Sequence, residues 1–141
     1  MSFREKSAWI SFVCLLLFAF SWTTHAFGVE FFSRTHIGPM VWFFSMLGGL
    51  IALEIALHVA IAIQSPKEAR TPKDERERLI DLRAARVAFY VLLVGAFSSL
   101  GFGLHFPGAN RFMMGQFLMG AIIAALLARF GTQIALYRRD A

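Results

Sequence analysis

Four apolar runs, each of about 20 residues or more, govern what this chain can become, because that is the length of helix that spans a bilayer core. They lie at about residues 8–27, 39–64, 84–105 and 111–136, and the charges are gathered between them. With 57% hydrophobic and 16% charged residues among 141, the chain is too apolar for a water-facing domain. In lipid every backbone polar group must be satisfied inside the protein, so the runs are read as helices. The expected class is all-α: one polytopic domain of four transmembrane helices in an up-down bundle.

The longest charged stretch, Ser65 to Arg86, divides the chain into two expected hairpins. It carries seven of the fourteen basic residues (Lys67, Arg70, Lys73, Arg76, Arg78, Arg83 and Arg86) and five of the nine acids. Together with Arg4, Lys6, Arg138 and Arg139, this side of the expected bundle holds eleven Lys/Arg, whereas the two other connections hold Arg34 and Arg111. Basic residues accumulate on the cytoplasmic side, so both termini and the hinge are expected there. The net charge of +5 has the same origin, and no nucleic-acid partner is expected. The expected partners are the lipid bilayer and a protein partner or further copies of the chain.

Two helix-start signatures occur in the hinge, Ser65-Pro66-Lys67-Glu68 and Thr71-Pro72-Lys73-Asp74. The second is expected to open a helix that runs through Leu79, Ile80 and Leu82 into the third span, with Asp74 and Arg78 in the favourable i, i+4 order. The alternating charges of the hinge, expected over about residues 65–83, suit a solvated helical face or a surface for headgroups or a partner. At the N-terminus, Arg4, Lys6 and the run from Ala8 resemble a secretory signal. Trp22 and His25 crowd the cleavage site, so a retained helix is expected. Cys14, the single cysteine, excludes an internal disulfide and is expected to be a small buried apolar group.

Small residues at four-residue spacing let helices approach closely in lipid. The second run has Gly48, Ala52, Ala56 and Ala60; the third has Gly95, Ser99 and Gly103; the fourth has Gly120, Ala124, Ala128 and Thr132. The first has bulky residues and no comparable ladder. Runs two to four are therefore expected to form the tight core, with the first at its edge.

The intramembrane polar residues are the candidate site. Glu54 and His58 are one turn apart on one face of the second run. An acid at such depth costs roughly 2.5–3.5 kcal/mol on insertion scales and calls for a partner or a cavity. Counted at ~1.5 Å per residue from the outer ends, Glu54 lies about 22 Å down its helix and Arg129 about 27 Å down the fourth. Gln133 is one turn below Arg129, and Tyr90 is at a similar depth on the third run. The cluster Glu54, His58, Arg129, Gln133 and Tyr90 is expected either to lock helix register or to form a proton- or ion-coupled site; Arg129 alone could also reach the inner headgroups. The remaining histidines, His25, His36 and His105, collect at the opposite side. His25 with His105 is the one pair that could ligate a haem iron, but no ligand spacing supports it. No cofactor or metal is expected. The sequence has no Gly-rich phosphate loop, HExxH or nucleophile elbow, and no enzyme activity is expected.

The opening Phe3-Arg4-Glu5-Lys6-Ser7-Ala8-Trp9, the hinge blocks Ser65-Pro66-Lys67-Glu68-Ala69 and Asp74-Glu75-Arg76-Glu77-Arg78-Leu79-Ile80, and the tail Gln133-Ile134-Ala135-Leu136-Tyr137-Arg138-Arg139 resemble a group of small uncharacterised bacterial inner-membrane proteins. The resemblance covers the whole chain and implies four helices and no assigned activity. Length and helix count are also similar to small multidrug transporters, but those place an essential acid in the first helix, where this chain has none. The expected function is a non-enzymatic scaffold or interaction protein with a charged cytoplasmic hinge. The alternatives are a small proton- or ion-coupled transporter or channel titrating at Glu54 and, more remotely, a haem b electron carrier.

Overall fold

The computed structural model describes residues 3–26, 39–66, 71–105 and 111–139. Four long helices make up the fold: α1 (Phe3–Ala26), α2 (Pro39–Gln64), α3 (Glu75–His105) and α4 (Arg111–Arg139). All four are long and apolar enough to cross a membrane, and no strand occurs among the described residues. The chain divides into two compact units, residues 1–72 and 73–141. The first holds the α1–α2 hairpin and the second the α3–α4 hairpin.

The helix starts differ from expectation. Helix α1 begins at Phe3 rather than near residue 8. Helix α3 begins at Glu75, so the span expected over about residues 84–105 is extended through the second part of the hinge, as expected of the second helix-start signature. Its cap is Asp74, not Thr71. The Glu75 N–H donates to Asp74 Oδ1 at 2.8 Å, and the Asp74 N–H donates to Glu77 Oε2 at 3.2 Å. The Glu77 bond to the cap N–H is one half of a capping box shifted three residues from Thr71, while the Asp74 carboxylate takes the first helical N–H, that of Glu75. Asp caps better than Thr, and Glu77 reaches back to the cap N–H where Asp74 would have to serve Thr71 with a shorter side chain. Of the first signature, Lys67 and Glu68 lie outside the described residues, as does Arg70.

In the first hairpin, α1 presents Ala8, Ser11, Cys14 and Phe18 as its buried face, at three- and four-residue spacing. Phe18 meets Phe43 of α2 edge-on at 6.3 Å between ring centres. Cys14 is 2% exposed, as expected of a small apolar group. Within this hairpin the expected ladder of α2 is not the contact with α1: Gly48, Ala52, Ala56 and Ala60 are exposed, and a Cβ at Gly48 would have nothing within 4 Å. Helix α1, expected at the edge, is the element against which α2 packs in this unit.

In the second hairpin the expected ladder of α3 is the contact. A Cβ at Gly95 would overlap that of Ala121 and come within 3.2 Å of its Cα. One at Gly103 would fall 2.7 Å from Met114 Sδ. Ser99 is buried and donates to the Met114 carbonyl at 3.2 Å across the two helices. On α4 the seam runs through Ala121 and Ala125, both buried, and not through the exposed Ala124 of the expected ladder. A rotation of one residue, about 100°, separates the two readings.

Candidate functional site

Each hairpin uses its few polar side chains to join its own two helices. In the first, Glu54 and His58 stand one turn apart on α2, as the i, i+4 spacing requires. Opposite them α1 presents Ser7 and Ser11 at the same spacing, because the antiparallel helices keep step turn by turn. Ser11 Oγ donates to Glu54 Oε1 at 2.6 Å. Ser7 Oγ is 2.8 Å from His58 Nε2, and His58 Nδ1 donates to the Glu54 carbonyl at 2.8 Å. With Nδ1 as donor to a carbonyl, neutral His58 accepts from the Ser7 hydroxyl at Nε2; were the ring charged, the same hydroxyl would accept instead. Ser11 is buried, whereas Glu54 and His58 are half-buried. Among the described residues of this hairpin the Glu54 carboxylate takes a hydroxyl and no cation.

In the second hairpin Gln133, buried on α4, donates through Nε2 to Asp81 Oδ1 of α3 at 2.9 Å. Lys73 is paired with the other carboxylate oxygen of Asp81. Asp81 is thus held by a cation from just before α3 and by an amide from α4, which closes this end of the hairpin. Gln133 does not join Arg129 and Tyr90. Tyr90 is 60% exposed, with its ring against Phe89. Arg129 is exposed, lies 5.9 Å over the Phe130 ring, and lines an apolar groove between α3 and α4. Among the described residues it has no carboxylate partner. Within their own units, the structure shows Glu54 with His58 and Ser11, and Gln133 with Asp81.

The remaining candidates fall as follows. Lys73 is in the Asp81 pair, and Arg76, Arg78, Arg83 and Arg86 are exposed on the first turns of α3. Lys67, Arg70 and His36 lie outside the described residues, as does the His25 side chain. His105 Nδ1 donates to the Gly101 carbonyl at 2.9 Å, one turn back in its own helix.

Three residues that carry these contacts are not among the expected site residues: Ser7, Ser11 and Asp81. Each had a signal. Ser7, Ser11 and Cys14 form a small-residue stripe on α1, at i, i+4, i+7, that the bulky neighbours obscure. The α3 seam through Ser99, Gly95, Ala88 and Ala84, continued one turn towards the N-terminus, reaches Ile80 and Asp81. An acid at the end of a packing seam needs a partner there. Asp81 was hidden by the solvated charges around it.

Comparison with known proteins agrees with the sequence resemblance. Residues 5–141 match the family described as Predicted membrane protein (DUF2178), and the chain belongs to it. No curated protein and no solved structure matches the chain.

Proposed function

For a member of this membrane-protein family, we propose a non-enzymatic role as a scaffold or interaction protein of the bacterial inner (cytoplasmic) membrane. In this reading both termini and the Ser65–Arg86 stretch are cytoplasmic, following the charge bias. The first turns of α3, with Arg76, Arg78, Arg83 and Arg86, then offer a charged surface to headgroups or to a protein partner. One observation carries the reading: the membrane-span side chains Glu54, His58 and Gln133 are each bonded to the other helix of their own hairpin or to its Asp81. Polar groups so engaged join the two helices and hold their register.

A second reading has its own observation. Glu54 is held within its hairpin by a hydroxyl, which can donate to a carboxylate and accept from a carboxyl, and the Ser7–His58 contact is equally reversible. That favours a small proton-linked transporter or channel with Glu54 titrating. Proton flux in proteoliposomes, read alongside thermal unfolding in detergent, separates the two. The scaffold reading expects no protein-dependent flux and a less stable Glu54→Gln variant. Flux abolished by Glu54→Gln in a normally folded protein refutes it. A double-mutant cycle on Glu54→Gln and Arg129→Gln adds whether these two residues are coupled; additive effects remove Arg129 as the ion partner.

A further inference from the structure

Arg129 and the groove it lines are not used by any of the polar contacts that join the helices. The groove is a hollow of about 210 Å³ between α3 and α4, walled by Ala85, Phe89, Leu92, Ile122 and Leu126, with Arg129 among its lining residues. A second hollow of about 230 Å³ shares Phe89 and Leu92 and continues along α3 past Phe97 to Leu100. From Ala85 to Leu100 the two extend ~22 Å along the helix, more than the ~15 Å of one leaflet. The walls are apolar and open: Phe89 is 58% and Phe97 67% exposed.

The charged end is what makes this more than a lipid-facing surface. Arg129 lies ~27 Å from the start of α4, near the far edge of a ~30 Å hydrocarbon core. Arg86, also exposed, is one turn before Phe89 on the same face of α3. Neither arginine has a carboxylate partner among the described residues. The nearest acid of the hairpin along α3, Asp81, is occupied by Lys73 and Gln133. An unneutralised Arg129 in the lining of an apolar groove, with Arg86 exposed farther along α3, calls for an anion with a hydrocarbon tail. Basic pockets between transmembrane helices bind anionic headgroups for this reason.

We propose that the α3–α4 groove is a binding site for an anionic phospholipid, with its phosphodiester on Arg129, supported by Arg86, and one acyl chain lying along Phe89, Leu92 and Phe97. Arginine suits the role because its planar fork presents paired N–H donors to phosphate oxygens. The site is independent of whether Glu54 titrates.

The test is native mass spectrometry of the full chain released from mixed micelles that hold phosphatidylglycerol and phosphatidylcholine in equal amounts. The chain is expected to retain phosphatidylglycerol about fivefold over phosphatidylcholine, the discrimination of roughly one well-placed cation. Arg129→Gln should bring the ratio close to one. Ala85→Phe keeps both arginines, fills the inner end of the groove from an exposed position and should also abolish retention. Equal retention of the two lipids by the unaltered chain overturns the proposal. So does a preference that survives Ala85→Phe, which would reduce the effect to surface charge. A spectrum of two chains with no retained lipid would place a second copy, not lipid, on this face and overturn it as well.

Discussion

Gly95 offers the sharpest test of how the second hairpin is held together. A methyl group there would overlap the Ala121 Cβ and sit 3.2 Å from its Cα, where carbon atoms prefer about 3.5–4.0 Å. Neither atom of Ala121 can rotate away, so α3 and α4 have to part. Overpacking of this kind costs up to about 3 kcal/mol. Alanine returns about 1 kcal/mol of helix propensity over glycine. Gly95→Ala is therefore expected to destabilise by about 2 kcal/mol. Two other glycines on the same scale calibrate the result. At Gly48 an added Cβ meets open space, so Gly48→Ala should be neutral or stabilising by about 0.5–1 kcal/mol. At Gly103 the obstacle is the thioether of Met114, which can swing aside, so Gly103→Ala should be nearly neutral. The assay is reversible unfolding in detergent followed by far-UV circular dichroism. In the Gly95→Ala background, Ala121→Gly should recover most of the loss, because it removes the overlapping atom. A Gly95→Ala protein as stable as the original, or a loss that Ala121→Gly does not repair, would refute the close approach of these two helices.

Two further outcomes follow from the polar contacts. Ser11→Ala removes the hydroxyl that donates to Glu54 and should destabilise the protein by about 1 kcal/mol, between the average and the maximum measured for hydrogen bonds between membrane helices; Ser11→Thr, which keeps the hydroxyl, should recover much of it in the same unfolding assay. Asp74→Ala removes the carboxylate that accepts from the Glu75 N–H while leaving the backbone bond to Glu77, and should cost about 1 kcal/mol, with faster amide exchange over Glu75–Arg78, whereas Thr71→Ala should leave that exchange unchanged.

The membrane architecture was legible because it depends on composition summed over long windows. A span of about 20 apolar residues has few alternatives to a helix in lipid, whichever neighbours it acquires. The continuation of the hinge into α3 was legible for a similar reason, since cap chemistry is local. The cap itself was misplaced because Thr71 and Asp74 offer overlapping signatures three residues apart. The closer preference of aspartate, and the reach of Glu77, decided between them.

The site was legible in half. Glu54, His58 and Gln133 announce themselves, because each is a polar group inside an apolar span. Their partners do not. Ser7 and Ser11 are ordinary residues until α1 faces α2, and Asp81 looks like one more solvated acid until α4 brings Gln133 beside it. The small-residue ladders show the same limit. Gly95, Ser99 and Gly103 mark a face of α3 that does pack, but an equally good ladder on α2 is not its contact with α1, and that of α4 is one residue out of register.

What the sequence alone determined, then, was which segments become membrane helices, roughly where they begin and end, and which side chains are too polar to be left without a partner in lipid. Those properties are fixed by local composition and by the cost of exposing backbone and charge to hydrocarbon. Only the tertiary structure decided the rotation of each helix about its axis within its hairpin, and with it the partners. A turn of 100° carries every side chain to another face while leaving the apolar content of the helix unchanged, and hydrophobicity does not distinguish one lipid-soluble face from another.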